Sequence, residues 1–293
     1  MKPNKLFLNL GGMKFKDITK EAGKDLAGRP NAWTTGVTMA DVNSDGLLDI
    51  YVCNSGNIGG GGNKKNELFI NQGNLTFREM AEEYNVADKG YTTHAAFFDY
   101  DRDGDLDLYL LINQRMDNIP SNYRPKIVDG SALNNDRLFR NNNDGTFSDV
   151  SLEAGITIEG FGLGLSISDL NLDGWPDIYV SNDYIDDDFI YINNQDGTFT
   201  ESAAKFLNHI SHFAMGNDVG DINNDGLMDL IAVDMLPEDH ARRKLMFGAT
   251  QYNKFYYAVN HGYSHQYMRN TLQLNNGNGS FSEVGQLAGI YKT

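Results

Sequence analysis

Four nine-residue stretches concentrate the side chains able to do chemistry: "DVNSDGLLD" from Asp41, "DYDRDGDLD" from Asp99, "DLNLDGWPD" from Asp169 and "DINNDGLMD" from Asp221. All follow D-x-[DN]-x-D-G-x-x-D. Carboxylates this close repel one another, a cost that is tolerable when water solvates them or a cation sits among them. Calcium takes six to eight oxygens in flexible geometry, and positions 1, 3 and 5 of such a loop can turn side-chain oxygens inward while a glycine at 6 permits the sharp turn. The backbone carbonyl of position 7 adds a ligand. An EF-hand closes with a glutamate at position 12, but Val52, Leu110, Val180 and Ala232 stand there. The closing carboxylate therefore falls to position 9.

The expected ligand sets are Asp41, Asn43, Asp45, the Leu47 carbonyl and Asp49; Asp99, Asp101, Asp103, the Asp105 carbonyl and Asp107; Asp169, Asn171, Asp173, the Trp175 carbonyl and Asp177; and Asp221, Asn223, Asp225, the Leu227 carbonyl and Asp229. The Asp105 side chain is expected to stay free in water. Magnesium fits less well, because it demands octahedral geometry and keeps its waters. At the tighter end of the extracellular range, a Kd of about 10⁻⁴ M, millimolar calcium stabilises by about 1.4 kcal/mol per site. Four Ca²⁺ sites together would tie the fold to a calcium-rich compartment, extracellular or in the cell envelope.

Each loop leads into a short strand pattern, "IYVCN", "LYLLIN", "IYVSN" and "LIAVD", and follows an aromatic eight residues upstream, at Trp33, Tyr91, Phe161 and Phe213. A second motif recurs five times, with Asn9, Asn71, Asn141, Asn193 and Asn275 each six residues before a phenylalanine. The Asp-Gly and Asn-Gly pairs between them are hairpin-turn chemistry. One unit is thus strand, acidic loop, strand, link, strand, tight turn, strand. This reads as a four-stranded antiparallel blade, and the fold class as an all-β β-propeller or partial propeller. A β-sandwich is the competing architecture, but it does not call for one signature in register four times.

These motifs resemble the FG-GAP or VCBS-type repeat propellers, as in integrin α-chain head domains and bacterial ASPIC/UnbV-like and cartilage-acidic-protein-like envelope proteins. "TTGVTMADVNSDGLLDIYV" and "GFGLGLSISDLNLDGWPDIYV" carry the likeness, which extends over nearly the whole chain. The resemblance implies calcium loops and a fold that serves adhesion and ligand binding. The expected division is an outer half-blade at 1–32, blades at 33–90, 91–160 and 161–211, and a blade at 212–293 bearing a long insert at 235–270. The unpaired half-blade suggests a segment of a longer propeller in which Met1 is not the natural start and an export signal lies upstream.

Composition narrows the partners. A net charge of −16 over 293 residues offers no basic surface for a nucleic-acid backbone. No apolar run reaches membrane-spanning length. The single cysteine, Cys53, cannot form an internal disulfide and sits in an apolar run, so it reads as a core residue. Function is sought in what is not repeated. The insert at 113–136 is functional or floppy. That at 235–270 begins with a short helix after Pro237 and brings Arg242, Arg243, Lys244, Lys254 and Arg269 together with Tyr256, Tyr257, Tyr263 and Tyr267. These tyrosines either stack on a ligand or cap the propeller face as a local core; His240, His261 and His265 lack tight metal spacing. His94 stands where the other blades have Gly36, Gly164 and Gly216, as a structural or a catalytic residue. The run with Asp183, Asp186, Asp187 and Asp188 is a solvated loop or a further ion site. "GGGG" at 59–62 reads as a flexible tip. The leading expectation is a non-catalytic protein- or glycan-binding module, the ligand meeting its loop face; the alternatives are a polysaccharide lyase or hydrolase domain and a purely structural repeat array.

Overall fold

The computed structural model describes residues 3–56, 63–114, 124–184, 186–245 and 252–292. The glycine run at 59–62 and parts of both inserts, 115–123 and 246–251, lie outside the described residues. The chain divides into two compact units, residues 1–99 with 103–110 and 138–150, and residues 100–102 with 111–137 and 151–293.

A hairpin of β1 (Phe7–Asn9) and β2 (Phe15–Asp17) opens the chain, followed by the short helix α1 (Thr19–Ala22). The first four-stranded sheet is β3 (Trp33–Ala40), β4 (Asp49–Ser55), β5 (Glu67–Asn71) and β6 (Phe77–Glu79). The second is β7 (Thr92–Phe98), β8 (Asp107–Ile112), β9 (Arg137–Asn141) and β10 (Phe147–Asp149). The third is β11 (Gly162–Ser168), β12 (Asp177–Asn182), β13 (Phe189–Asn193) and β14 (Phe199–Glu201), followed by helix α2 (Ala203–Phe206) and the two-residue strand β15 (Ile210–Ser211). The fourth starts with β16 (Gly216–Gly220) and β17 (Asp229–Val233). The chain then leaves it for α3 (His240–Leu245), α4 (Tyr252–Asn260) and β18 (Gln266–Tyr267), and returns as β19 (Thr271–Asn275) and β20 (Phe281–Glu283). All four sheets are antiparallel with strands in chain order, as propeller blades are built. β15 and β18 pair in parallel, a contact that the repeat does not foretell.

Burial follows strand position. The second strand of a sheet is covered on both faces, so β4, β8 and β12 are buried almost end to end and their sequences are continuous apolar runs rather than alternating ones. Cys53 belongs to this layer, where burial pushes its thiol pKa up. In the first unit Ile18, Ala22 and Leu26 pack on Ile50, Val52 and Phe69, seating the opening hairpin on the first sheet. In the second unit Tyr179 and Ile190 pack on Leu230 and Phe281, with Leu170, Ala203 and Leu207 between them.

The first strands approach closely enough to require glycine. A Cβ on Gly36 would lie 2.6 Å from the Thr93 carbonyl oxygen, and one on Gly164 2.6 Å from the Asn217 amide nitrogen. Both glycines sit where β3 and β11 slip register against their partners. Across the same approaches, Thr35 Oγ1 donates to the Thr92 carbonyl at 2.6 Å, and Ser166 Oγ to Asn217 Oδ1 at 2.9 Å.

Candidate metal sites in the acidic loops

Every acidic loop has two residues in the left-handed region. Position 4 is Ser44, Arg102, Leu172 or Asn224, with φ between 59° and 60°; position 6 is Gly46, Gly104, Gly174 or Gly226, with φ between 85° and 98°. A non-glycine residue there costs about 1–2 kcal/mol, so hydrogen bonds must hold the turn. In the first loop Asp41 accepts from the backbone N–H of Asp45 at 3.0 Å and of Gly46 at 2.8 Å, and Asp45 Oδ1 accepts from the Leu47 N–H at 2.8 Å. The third and fourth loops repeat this, with Gly174 donating to Asp169 at 2.8 Å and Gly226 to Asp221 at 3.0 Å. In the second, Gly104 donates to Asp99 at 3.1 Å. The position-3 amides of Asn43, Asn171 and Asn223 each donate to the position-5 carboxylate.

The carboxylates at position 9, Asp49, Asp107, Asp177 and Asp229, are fully buried. Each ties its loop to the third strand of its own sheet, accepting from the N–H of Asn71, Asn141, Asn193 or Asn275 at 2.8 Å. Asp49, Asp177 and Asp229 also accept from the position-2 N–H of Val42, Leu170 and Ile222. Burial raises the pKa of Asp49, and that of Asp177 to about 6. Each carboxylate oxygen has two lone pairs, so these bonds leave acceptor capacity for a cation.

The second loop is the most acidic. Ligand oxygens of Asp99, Asp101 and Asp107 lie within 4.8 Å of one another, and Asp99 Oδ1 is buried without a hydrogen-bond partner among the described residues. An all-oxygen cluster with an orphaned buried carboxylate oxygen fits calcium. Asp105 departs from expectation. Its side chain is 8% exposed rather than free in water, because the turn folds it inward. Arg102, at position 4 of this loop, lies over the Trp175 ring at position 7 of the third loop, 5.2 Å from the centroid.

The repeated asparagines prove to be staples. Asn141 Nδ2 donates to the Leu106 carbonyl of its own loop and to the Val42 carbonyl of the first loop, both at 3.2 Å. Asn193 bonds Pro176 at 3.3 Å and Tyr100 of the second loop at 2.8 Å, and Asn275 bonds Met228 at 3.2 Å and Leu170 of the third loop at 3.0 Å. A second staple lies five residues earlier. Asn66, Asp136, Asp188 and Asn270 accept the N–H of Asn54, Ile112, Asn182 and Asp234, closing the far end of each second strand. The sequence signal was present in the fixed five-residue spacing, but it carries no chemistry that stands out.

Asp186, Asp187 and Asp188 are buried, at 4%, 6% and 1% exposed, so this part of the acidic run at 183–188 is not a solvated loop. Lys126 pairs with Asp187, which also accepts from Ser264 N at 2.9 Å and Gln266 Nε2 at 3.0 Å. Arg124 grips Glu159 with two nitrogens at 2.5 and 2.6 Å. Burial first, then the charges of Glu159 and Asp187, raises the Asp186 pKa to about 8; burial raises Asp188 to about 8 as well. The described parts of the two inserts thus meet at this run. The helix expected after Pro237 is α3, while α4 has no counterpart in the sequence reading. Of the tyrosines that either stack on a ligand or form a local core, Tyr263 is buried at 3% exposed, whereas Tyr256, Tyr257 and Tyr267 are exposed. His94 is half-buried on β7, and burial lowers its pKa. Among the described residues no helix is long and apolar enough to cross a membrane.

Comparison with known proteins places this architecture. The chain is 27% identical to human (Homo sapiens) cartilage acidic protein 1 over 204 residues, 67% of this chain and 29% of that protein, so it spans under a third of that relative's length. A solved structure on specific recognition of non-reducing terminal N-acetylglucosamine by an Agrocybe aegerita lectin aligns at a TM-score of 0.46 and 17% identity, over 95% of this chain and 59% of that one. The V. cholerae biofilm matrix protein Bap1 aligns at a TM-score of 0.37 and 12% identity, over 86% of this chain and 40% of that one. The FG-GAP-like repeat pattern matches residues 2–52, 57–110, 127–180 and 169–232. Sheets, loops and match together make the chain a member of the FG-GAP-like repeat family.

Proposed function

We propose that this chain is a calcium-binding β-propeller segment that works as a non-catalytic protein- or glycan-binding module outside the cytoplasm, at the cell surface or in the envelope. The observation that carries this reading is the acidic loop, built four times with the same two left-handed residues and the same inward carboxylates. Calcium is held by the side chains at positions 1, 3, 5 and 9 and the carbonyl at 7. Bound there, it neutralises the carboxylate repulsion. The staples from Asn141, Asn193 and Asn275 pass that rigidity on, because their acceptor carbonyls belong to the loops.

Calorimetric titration of the chelator-treated protein tests this directly. About four calcium ions should bind, and Tm should rise with calcium at millimolar concentration. Absence of both heat and thermal shift at millimolar calcium refutes the reading.

A further inference from the structure

We infer that the insert of the fourth sheet carries a docking surface for an acidic polysaccharide, one bearing uronate or sulfate groups, on the solvent face of α4. This rests on, and deepens, the reading of the chain as a binding module.

The insert is anchored. Buried Asp234 accepts from Ser211 Oγ at 2.6 Å, from the N–H groups of His212 and Phe213 at 3.1 and 3.0 Å, and from the Arg269 N–H at 3.2 Å. Ser264 and Gln266 are held by Asp187, and Ile210 N donates to the His265 carbonyl at 3.0 Å. On this base α4 packs through Phe255. Phe255 stacks on His265 and Tyr267, with centroids 5.7 and 6.1 Å away. Nine residues are too few to sustain a helix in water unaided, so this contact and the anchored limb hold it.

The helix also presents aromatic side chains to solvent. Tyr252, Tyr256 and Tyr257 are 75%, 53% and 52% exposed, and Tyr252 and Tyr256, one turn apart, stack at 6.1 Å with planes 17° apart. Lys254 is exposed one turn before Tyr257, and Lys254, Arg242 and Lys244 form no ion pair among the described residues. Residues 235–270 hold five basic side chains against two acidic ones, in a chain whose net charge is −16. A tyrosine pair stacked on the helix suits the face of a pyranose ring, and the Lys254 ammonium on the same helix suits its carboxylate or sulfate. Duplex nucleic acid, with a charge about every 1.7 Å and its bases stacked inside, offers the tyrosines no open ring face. An acidic polysaccharide offers the ring itself for stacking, with its carboxylate or sulfate at the ring's edge.

The test uses the full chain in calcium on immobilised heparin and alginate, with dextran, duplex DNA and phosphatidylserine vesicles as comparisons. Retention on heparin or alginate should fall with salt and weaken about tenfold in Tyr252→Ala/Tyr256→Ala and in Lys254→Glu, all exposed positions, with Tm unchanged. Unaltered retention of both variants, equal retention on dextran, preference for vesicles or DNA, or no retention on either acidic polysaccharide overturns the inference. Any of these with calcium titration intact leaves the module's metal chemistry standing and removes this surface alone.

Discussion

Replacing Asn193 by alanine isolates what the repeated asparagine does. Its amide donates to the Tyr100 and Pro176 carbonyls at 2.8 and 3.3 Å, its oxygen accepts from the Gln195 N–H at 2.9 Å, and the side chain is 2% exposed. Gln195 also sits at φ 66°, so that turn loses the bond that holds it. Each buried carbonyl left without a donor costs about 1–3 kcal/mol, which puts the substitution at about 3 kcal/mol. That corresponds to a fall in Tm of roughly 6–12 °C. The repeat supplies its own controls. Asn71 bonds Leu48 at 3.1 Å and Gly73 at 3.0 Å, so Asn71→Ala should cost about 1–2 kcal/mol. Asn9 is exposed and, among the described residues, accepts from Gly11 alone at 2.8 Å, so Asn9→Ala should stay within about 0.5 kcal/mol. Urea unfolding and calorimetry at fixed calcium read the series. Equal losses at all three positions, or no loss at Asn193, would refute the staple.

Gly164→Ala should be strongly destabilising, because its Cβ would meet Ser181 Oγ at 2.4 Å and backbone N of Asn217 at 2.6 Å; Gly220→Ala, with nothing within 4 Å, should be neutral or gain about 0.5 kcal/mol by urea unfolding. Asp188 has a folded pKa of about 8 against an ordinary 3.8, so its contribution is complete below about pH 4 and is lost progressively as pH rises from there to about 8. Asp188→Asn should flatten the fall in Tm between about pH 4 and 8, since Asn66 already fills the equivalent place and donates to Tyr51 Oη at 3.1 Å, where Asp188 meets Tyr179. Asp101→Asn converts the second loop to the D-x-N form of the other three. It should weaken one calcium site while leaving the stoichiometry unchanged by calorimetric titration, and loss of a site outright would contradict the ligand assignment.

The acidic loops and hairpins were legible because their logic is local. Asp41, Gly46 and Asp49 lie within nine residues, and the Asn-to-Phe spacing is the hairpin register itself, pairing Asn71 with Phe77 and Asn193 with Phe199. The staples were not, because the partner of Asn275 lies 105 residues away and an amide reveals nothing of its acceptor. The run at 186–188 reads as solvated on charge alone. Only the arrival of Lys126, Ser264 and Gln266 shows why it is buried, and Asp188 belongs there because the repeat needs an acceptor before each third strand. Helix α4 lacks the apolar periodicity that would announce it, since its tyrosines face outward.

The bond from Asn141 to Val42 has a counterpart in every later repeat described, always running from a third strand back to the loop of the preceding unit. Each copy therefore brings both a plug and a socket. Tandem duplication of such a segment needs no newly invented join, since the added copy fits its predecessor and receives its successor through the same pair of groups.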